Sequence, residues 1–325
     1  FAQSPRDPRV WEERLAKVPP DRLRAQGFRV VRLPVDPEAL WYGQGRLLPD
    51  RSDRVLEAVE RYVRGGLAVV LDLHPYPHLV AEILRGGEAA GRHRRLLGVL
   101  ARRLGALPSD RVALEPLNEP FDVAPKDWDR FQEGLVRGVR REAPGLWVVL
   151  AGARWGSLEG LVEMAPPPLP RLAASFHHYE PHVFTHQGAT WGPGVWRDLV
   201  GIPYPPRPGT GPSSPETRAL LGPYEARSWG PEERRGLLRQ AREWSDRSGV
   251  PVWCGEFGVI DGAPTDSRAR WLQEVRTVLE GLGIPWCLWD YSGTFGVFSR
   301  PPEERRVLLR ALGLPVPGGI ADGPR

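Results

Sequence analysis

Seven apolar runs, starting near Phe28, Leu67, Val112, Leu146, Leu172, Val250 and Ile284, alternate with helix-length amphipathic stretches. Strands that are apolar throughout are buried on both faces, the condition of a parallel sheet covered by helices. A doubly wound sheet and a (β/α)₈ barrel both meet that condition. Polar residues follow the C-terminal ends of all but one of the seven runs, which favours the barrel, whose site draws on many strand ends at once. A chain of 325 residues suits one large barrel, which needs about 250. With neither a composition break nor an internal repeat, residues 1–325 read as a single domain.

The most informative run is the third. Val112, Leu114 and Leu117 lead to Asn118-Glu119-Pro120. Proline removes the donor that a central strand would need next, so Glu119 is expected to be the last strand residue. Val250, Val252 and Trp253 repeat the design, leading through Cys254-Gly255 to Glu256, then Phe257 and Gly258. Either glutamate alone reads equally well as an exposed strand end. Two of them, each closing an apolar strand, form the pair that hydrolysis of a glycoside needs: an acid and a nucleophile flanking one sugar bond.

In chain order, a short helix is expected over 19–26, then a β-branched strand over 28–33, ended by Pro34 and carrying Arg32 near its tip. Further helices are expected over 53–64, 91–104, 128–142, 231–248, 268–282 and 302–312. Strands at 67–73, 146–150, 172–176 and 284–288 open onto His74, Trp155, His177-His178-Tyr179 and Trp289-Asp290-Tyr291 respectively. One long irregular region, 180–230, is expected to form one wall of the substrate cleft, with a disordered insertion as the alternative. Its first half holds Phe184, Trp191 and Trp196 with His182, His186 and Gln187; its second half is rich in proline.

Charge excludes one class of partner. Lys and Arg number 44 against 40 Asp and Glu, and all but Lys17 and Lys126 of the 44 are arginines, interspersed with acids along the helices. A nucleic-acid protein would concentrate them on one face, so no nucleic-acid partner is expected. No apolar run reaches the roughly 18 residues of a membrane span, and none is expected. Two cysteines, Cys254 and Cys287, make no disulfide framework, and no Cys or His spacing resembles a zinc site, so neither metal nor cofactor is expected. Both thiols should point into the barrel core from different layers and stay free. Of 13 tryptophans, several follow strands and are placed to stack on sugar faces. The chain begins at Phe1 without methionine, so a leader is expected to have been removed or trimmed.

Taken together, Arg-Leu-Pro at 32–34, Leu-Asp-Leu-His at 71–74, Leu-Asn-Glu-Pro at 117–120, His-His-Tyr at 177–179, Gly-Glu-Phe-Gly at 255–258 and Trp289 make the chain resemble glycoside hydrolase family 5, the cellulase family of retaining (β/α)₈ barrels. In that family the acid/base ends strand four and the nucleophile strand seven. Here they end the third and sixth readable strands, so the resemblance implies that the first strand is missing or reduced to a stub at Phe1. It implies Glu119 as acid/base and Glu256 as nucleophile. Arg32 and Tyr179 would donate to Glu256, and Asn118 would bond the sugar 2-hydroxyl. His74 and His177 would orient these groups, and Trp289, joined to Asp290 by a cis peptide, would form the floor. Trp155 and Trp191 would line the cleft. The implied substrate is a β-linked glucan, with an endo-β-1,4-glucanase expected first. A β-mannanase, a β-1,3-glucanase or a non-catalytic sugar-binding barrel are the alternatives. A monomer, secreted or periplasmic because of its substrate class, is the corresponding expectation.

Overall fold

The computed structural model describes residues 8–42 and 46–316. Its strands are β1 (Val30–Val35), β2 (Trp41–Tyr42), β3 (Arg46–Leu47), β4 (Ala68–Leu73), β5 (Val112–Glu115), β6 (Trp147–Ala151), β7 (Leu172–His178), β8 (Val252–Phe257) and β9 (Trp286–Leu288). β2 and β3 form a small antiparallel ladder, and the other seven are the parallel strands expected, neighbouring one another in chain order. The stub proposed for the first strand, at Phe1, lies outside the described residues.

The chain divides into two compact units, one comprising Phe1–His177 with Glu243–Trp253, the other His178–Arg242 with Cys254–Arg325. In the first unit, β1, β4, β5, β6 and β7 pair in order, and Ala174 N donates to Pro251 O at the entry to β8. Their outer faces carry Leu33, Leu71, Leu114, Val148 and Leu150, all buried against helices such as Pro49–Arg64, Gly87–Leu104 and Pro125–Glu142. In the second unit, Cys254 N donates to Pro285 O between β8 and β9, and the helices Pro231–Ser248 and Thr265–Gly281 contribute buried Leu238, Trp271, Leu272 and Val275. Cys254 and Cys287 are free thiols, the first buried and the second partly so.

Three expectations are corrected. β1 does not stop at Pro34 but runs on to Val35, because the odd residues of β1 bond to β4 and the missing donor of Pro34 faces the side without a partner strand among the described residues. β5 ends at Glu115, four residues before Glu119: it is Pro116, not Pro120, that ends the ladder, and the chain continues extended with Asn118 N donating to Leu73 O. The region 180–230 is less irregular than expected, since it contains the helices His182–Thr185 and Pro215–Ala226. Its proline-rich half is packed by Tyr204, Leu221 and Tyr224, all buried. Helices at Pro8–Lys17 and Pro77–Arg85 were also not anticipated.

Pro116 is fixed from outside the strand. His93, fully buried on the helix Gly87–Leu104, donates from Nε2 to the Pro116 carbonyl at 2.8 Å. Burial pushes its pKa down from 6.5 to about 4. The unfolded chain therefore binds a proton that the folded chain refuses, so stability is complete above the ordinary value and falls as pH drops towards about 4. A gap of this size corresponds to about 3 kcal/mol. Urea midpoints near neutrality and near the folded value should show that loss in the native protein. His93→Gln, which keeps an N–H donor and cannot titrate, should show a shallower fall by that amount.

Candidate active site

In the first unit, residues in register on neighbouring strands share a face, and Pro34, Asp72 and Glu115 stand side by side. Arg32, two residues before Pro34, shares that face. Two buried carboxylates on an apolar sheet require a cation, and Arg32 meets both. Its Nε and Nη2 donate to Glu115 at 2.8 and 3.0 Å, and Nη2 lies 3.0 Å from Asp72 Oδ2. The same Nη2 donates to Asn118 Oδ1 at 2.8 Å. His74 Nδ1 is 2.8 Å from Asp72 Oδ2, and its Nε2 is 3.2 Å from Asn118 Nδ2. Burial, opposed by Arg32 and reinforced by the negative charge of Glu119, pushes Asp72 up to about 7.

Glu119 sits beyond the strand in a left-handed conformation (φ 48°), which turns its side chain out of the extended run; Oε1 is 2.7 Å from His177 Nδ1. The next loop is fitted to it. Trp155 N donates to Pro120 O, and the Trp155 ring stacks on Phe121 at 4.0 Å and 5° while remaining 48% exposed. Gly156 follows at φ 62°, where an added β carbon would come within 3.7 Å of both His177 and Glu119.

In the second unit, Glu256 is buried on β8 and accepts a hydrogen bond of 2.7 Å from the Tyr179 hydroxyl. Tyr179 is anchored through its backbone: its carbonyl accepts from Thr185 Oγ1 at 2.6 Å and its N–H donates to the Glu180 carboxylate at 3.2 Å. Arg234, buried on the helix Pro231–Ser248, donates to His178 Nε2, the Glu180 carbonyl and the Tyr204 hydroxyl at 2.7, 3.2 and 2.8 Å. The Glu180 carbonyl also accepts from Trp271 Nε1 at 3.1 Å. Trp289 follows β9, donates its N–H to Phe257 O and is joined to Asp290 by the expected cis peptide. Gly258 is glycine for a visible reason: a β carbon there would lie 1.9 Å from the Trp289 carbonyl oxygen.

Trp196 and Trp289 pack against Tyr179, Ala189, Ile260 and Phe295, and Trp191 is 44% exposed beside Phe295. The loop bearing Trp191 and Trp196 is closed by one side chain. Gln187 donates to the carbonyls of Phe184 and Ile202 at 2.9 and 3.0 Å and accepts from Ile202 N at 2.7 Å.

Arg32, His74, Asn118, Glu119, His177 and Trp155 thus gather in the first unit, and Tyr179, Glu256, Trp289 and Trp191 in the second. Asp72, Glu115, Phe121 and Arg234 were not singled out in the sequence. The signal for the first two was a charge inside an apolar strand.

Tyr179→Phe tests the second cluster. A hydrogen bond to a charged group contributes about 1.5–3 kcal/mol, so its loss should lower kcat roughly 10- to 100-fold with the fold intact. An unchanged kcat would remove Tyr179 from the working site.

Comparison with known proteins brings these observations under one heading. The family model described as cellulase (glycosyl hydrolase family 5) matches residues 12–294. Cellodextrinase A of Ruminococcus flavefaciens is 27% identical over 266 residues, covering 79% of this chain and 73% of the relative. Endoglucanase H of Acetivibrio thermocellus is 25% identical over 85% of this chain, which spans only 27% of that longer protein. Among solved structures, Thermotoga maritima Cel5A in complex with cellobiose superposes with a TM-score of 0.74 at 25% identity, covering 90% of this chain and 88% of the other. The fold is that of the (β/α)₈ barrels, with seven of the barrel strands among the described residues.

Proposed function

The chain belongs to glycosyl hydrolase family 5, the cellulase family, and from that premise we propose that it is a retaining endo-β-1,4-glucanase in which Glu119 is the acid/base and Glu256 the nucleophile. Glu256 attacks the anomeric carbon as Glu119 gives its proton to the departing oxygen. Glu119 then takes a proton from water as water displaces Glu256. Two inversions leave the anomeric configuration unchanged. The observation that carries this reading is that each of the two glutamates is held by a partner suited to its task. Tyr179 donates to Glu256 at 2.7 Å, favouring a carboxylate ready to attack. His177 meets Glu119 at the same distance, able to donate to its charged form or accept from its protonated form.

Arg32 and His74 hold Asn118, whose amide addresses the sugar 2-hydroxyl. Trp289 offers a ring floor. The exposed faces of Trp155 and Trp191 suit further sugar rings, as expected for action within a chain rather than on a small glycoside. The relatives named endoglucanase support the same reading.

The test is a panel of soluble β-1,4-glucan, β-1,3-glucan and β-mannan, read by reducing-sugar release together with viscosity. The expected result is the fastest release on β-1,4-glucan, with viscosity collapsing before much sugar is freed. Hydrolysis of none of the three would overturn the reading. A mannan preference is the second outcome to watch for, because Thermotoga maritima Cel5A has also been determined with mannotriose.

A further inference from the structure

We propose that Asp72 is a positioning residue that fixes the ring tautomer of His74 and, through it, the orientation of the Asn118 amide towards the sugar 2-hydroxyl. The inference rests on the functional reading of Asn118 given above and is carried by the donors and acceptors around it.

The chain of assignment starts at Arg32, whose guanidinium has donors only. The atom of Asn118 facing Nη2 at 2.8 Å must therefore be the carbonyl oxygen, which leaves Nδ2 to face His74 Nε2 at 3.2 Å. An amide nitrogen only donates, so His74 Nε2 must be the bare, accepting nitrogen and the ring proton must be on Nδ1. That proton needs an acceptor, and Asp72 Oδ2, at 2.8 Å, supplies it.

Without that acceptor the Nδ1 proton loses its 2.8 Å partner, and the tautomer that suits Asn118 loses that support. A ring protonated on Nε2 would set donor against donor at Asn118. Turning the amide over to relieve this would place Nδ2 against Arg32, a second donor pair. Asp72 thus makes one orientation of Asn118 self-consistent.

Two further features suit Asp72 to this task. It is completely buried, so no solvent molecule competes for the imidazole proton. Its other oxygen, Oδ1, is buried with no hydrogen-bond partner among the described residues. A proton taken up by Asp72 can reside on Oδ1, which leaves Oδ2 an acceptor, so the arrangement holds on both sides of its titration. Arg32 does not depend on Asp72 alone, since Glu115 binds it through two hydrogen bonds. Replacement of Asp72 therefore leaves the cation paired.

The experiment compares kcat/KM on an aryl β-cellobioside with that on its analogue lacking the 2-hydroxyl at the cleaved sugar, for the native enzyme, Asn118→Ala, Asp72→Leu and Asp72→Asn. The 2-hydroxyl should favour the native enzyme by about 100-fold or more. Asn118→Ala and Asp72→Leu should both lose most of that preference. Asp72→Asn, whose amide oxygen can still accept from His74, should keep most of it. Asp72→Leu slowed equally on both substrates, with the preference intact, would reduce Asp72 to a counter-ion and overturn the proposal, as would Asp72→Asn losing the preference as completely as Asp72→Leu.

If Asn118→Ala keeps the preference, the functional reading of Asn118 fails instead, and the imidazole decides the positioning claim alone. ¹⁵N resonances of His74 in the native protein should report a proton on Nδ1 and a bare Nε2. The opposite tautomer overturns the proposal even if Asp72→Leu does not fold.

Discussion

Glu256→Gln is expected to lower kcat by roughly 10⁵-fold while leaving oligosaccharide affinity close to native. The carboxamide cannot attack the anomeric carbon, yet its oxygen can still accept from Tyr179, so the 2.7 Å contact and the packing of β8 need not change. Binding by calorimetry beside single-turnover kinetics separates the two effects. A smaller replacement, Glu256→Gly, opens room for an external anion. Added azide should then attack the anomeric carbon directly, giving a glycosyl azide of inverted, α configuration. Near-native turnover in the glutamine variant, or a β-azide from the glycine variant, would mean that another group is the nucleophile.

Glu119→Ala should divide substrates by their need for a proton. On polymer, where the departing sugar hydroxyl is a poor leaving group, loss of the general acid should cost about 10² to 10⁴ in kcat/KM. On an aryl glycoside with a strongly acidic phenol, the first step needs no proton and should survive. The second step then stalls for want of a base, and a burst of phenol is the expected trace. Azide should relieve the stall and yield a product of retained, β configuration. A uniform loss on both substrates, without a burst, would place the acid elsewhere.

Much of this arrangement was legible from the chain because buried strands tolerate so few residue types. A glutamate closing Val112–Leu117 and another closing Val250–Trp253 are conspicuous for that reason, and the seven apolar runs fix the parallel sheet. What lay hidden depends on geometry that the one-dimensional pattern does not carry. The left-handed backbone at Glu119 cannot be read from a glutamate, and the apolar run that continues through Leu117 conceals the end of the ladder at Pro116. Asp72 and Glu115 were visible as charges out of place, but only the register shows that both face Arg32. Arg234 was the least legible, one arginine among many in a charged helix, distinguished only by being the one turned inwards.

Gln187 has a consequence for how such a chain can diversify. One carboxamide ties the segment from Phe184 to Ile202 together by bonding to both of its ends, and inside it Gly188 N donates to Trp196 O. Exposed positions in the enclosure, such as Trp191 and Val200, can then vary, while Ala189, Trp196 and Leu199, which pack inwards, hold the flanking framework. Selection for a new polysaccharide has in this enclosure a place to act where change at the rim does not become damage at the base.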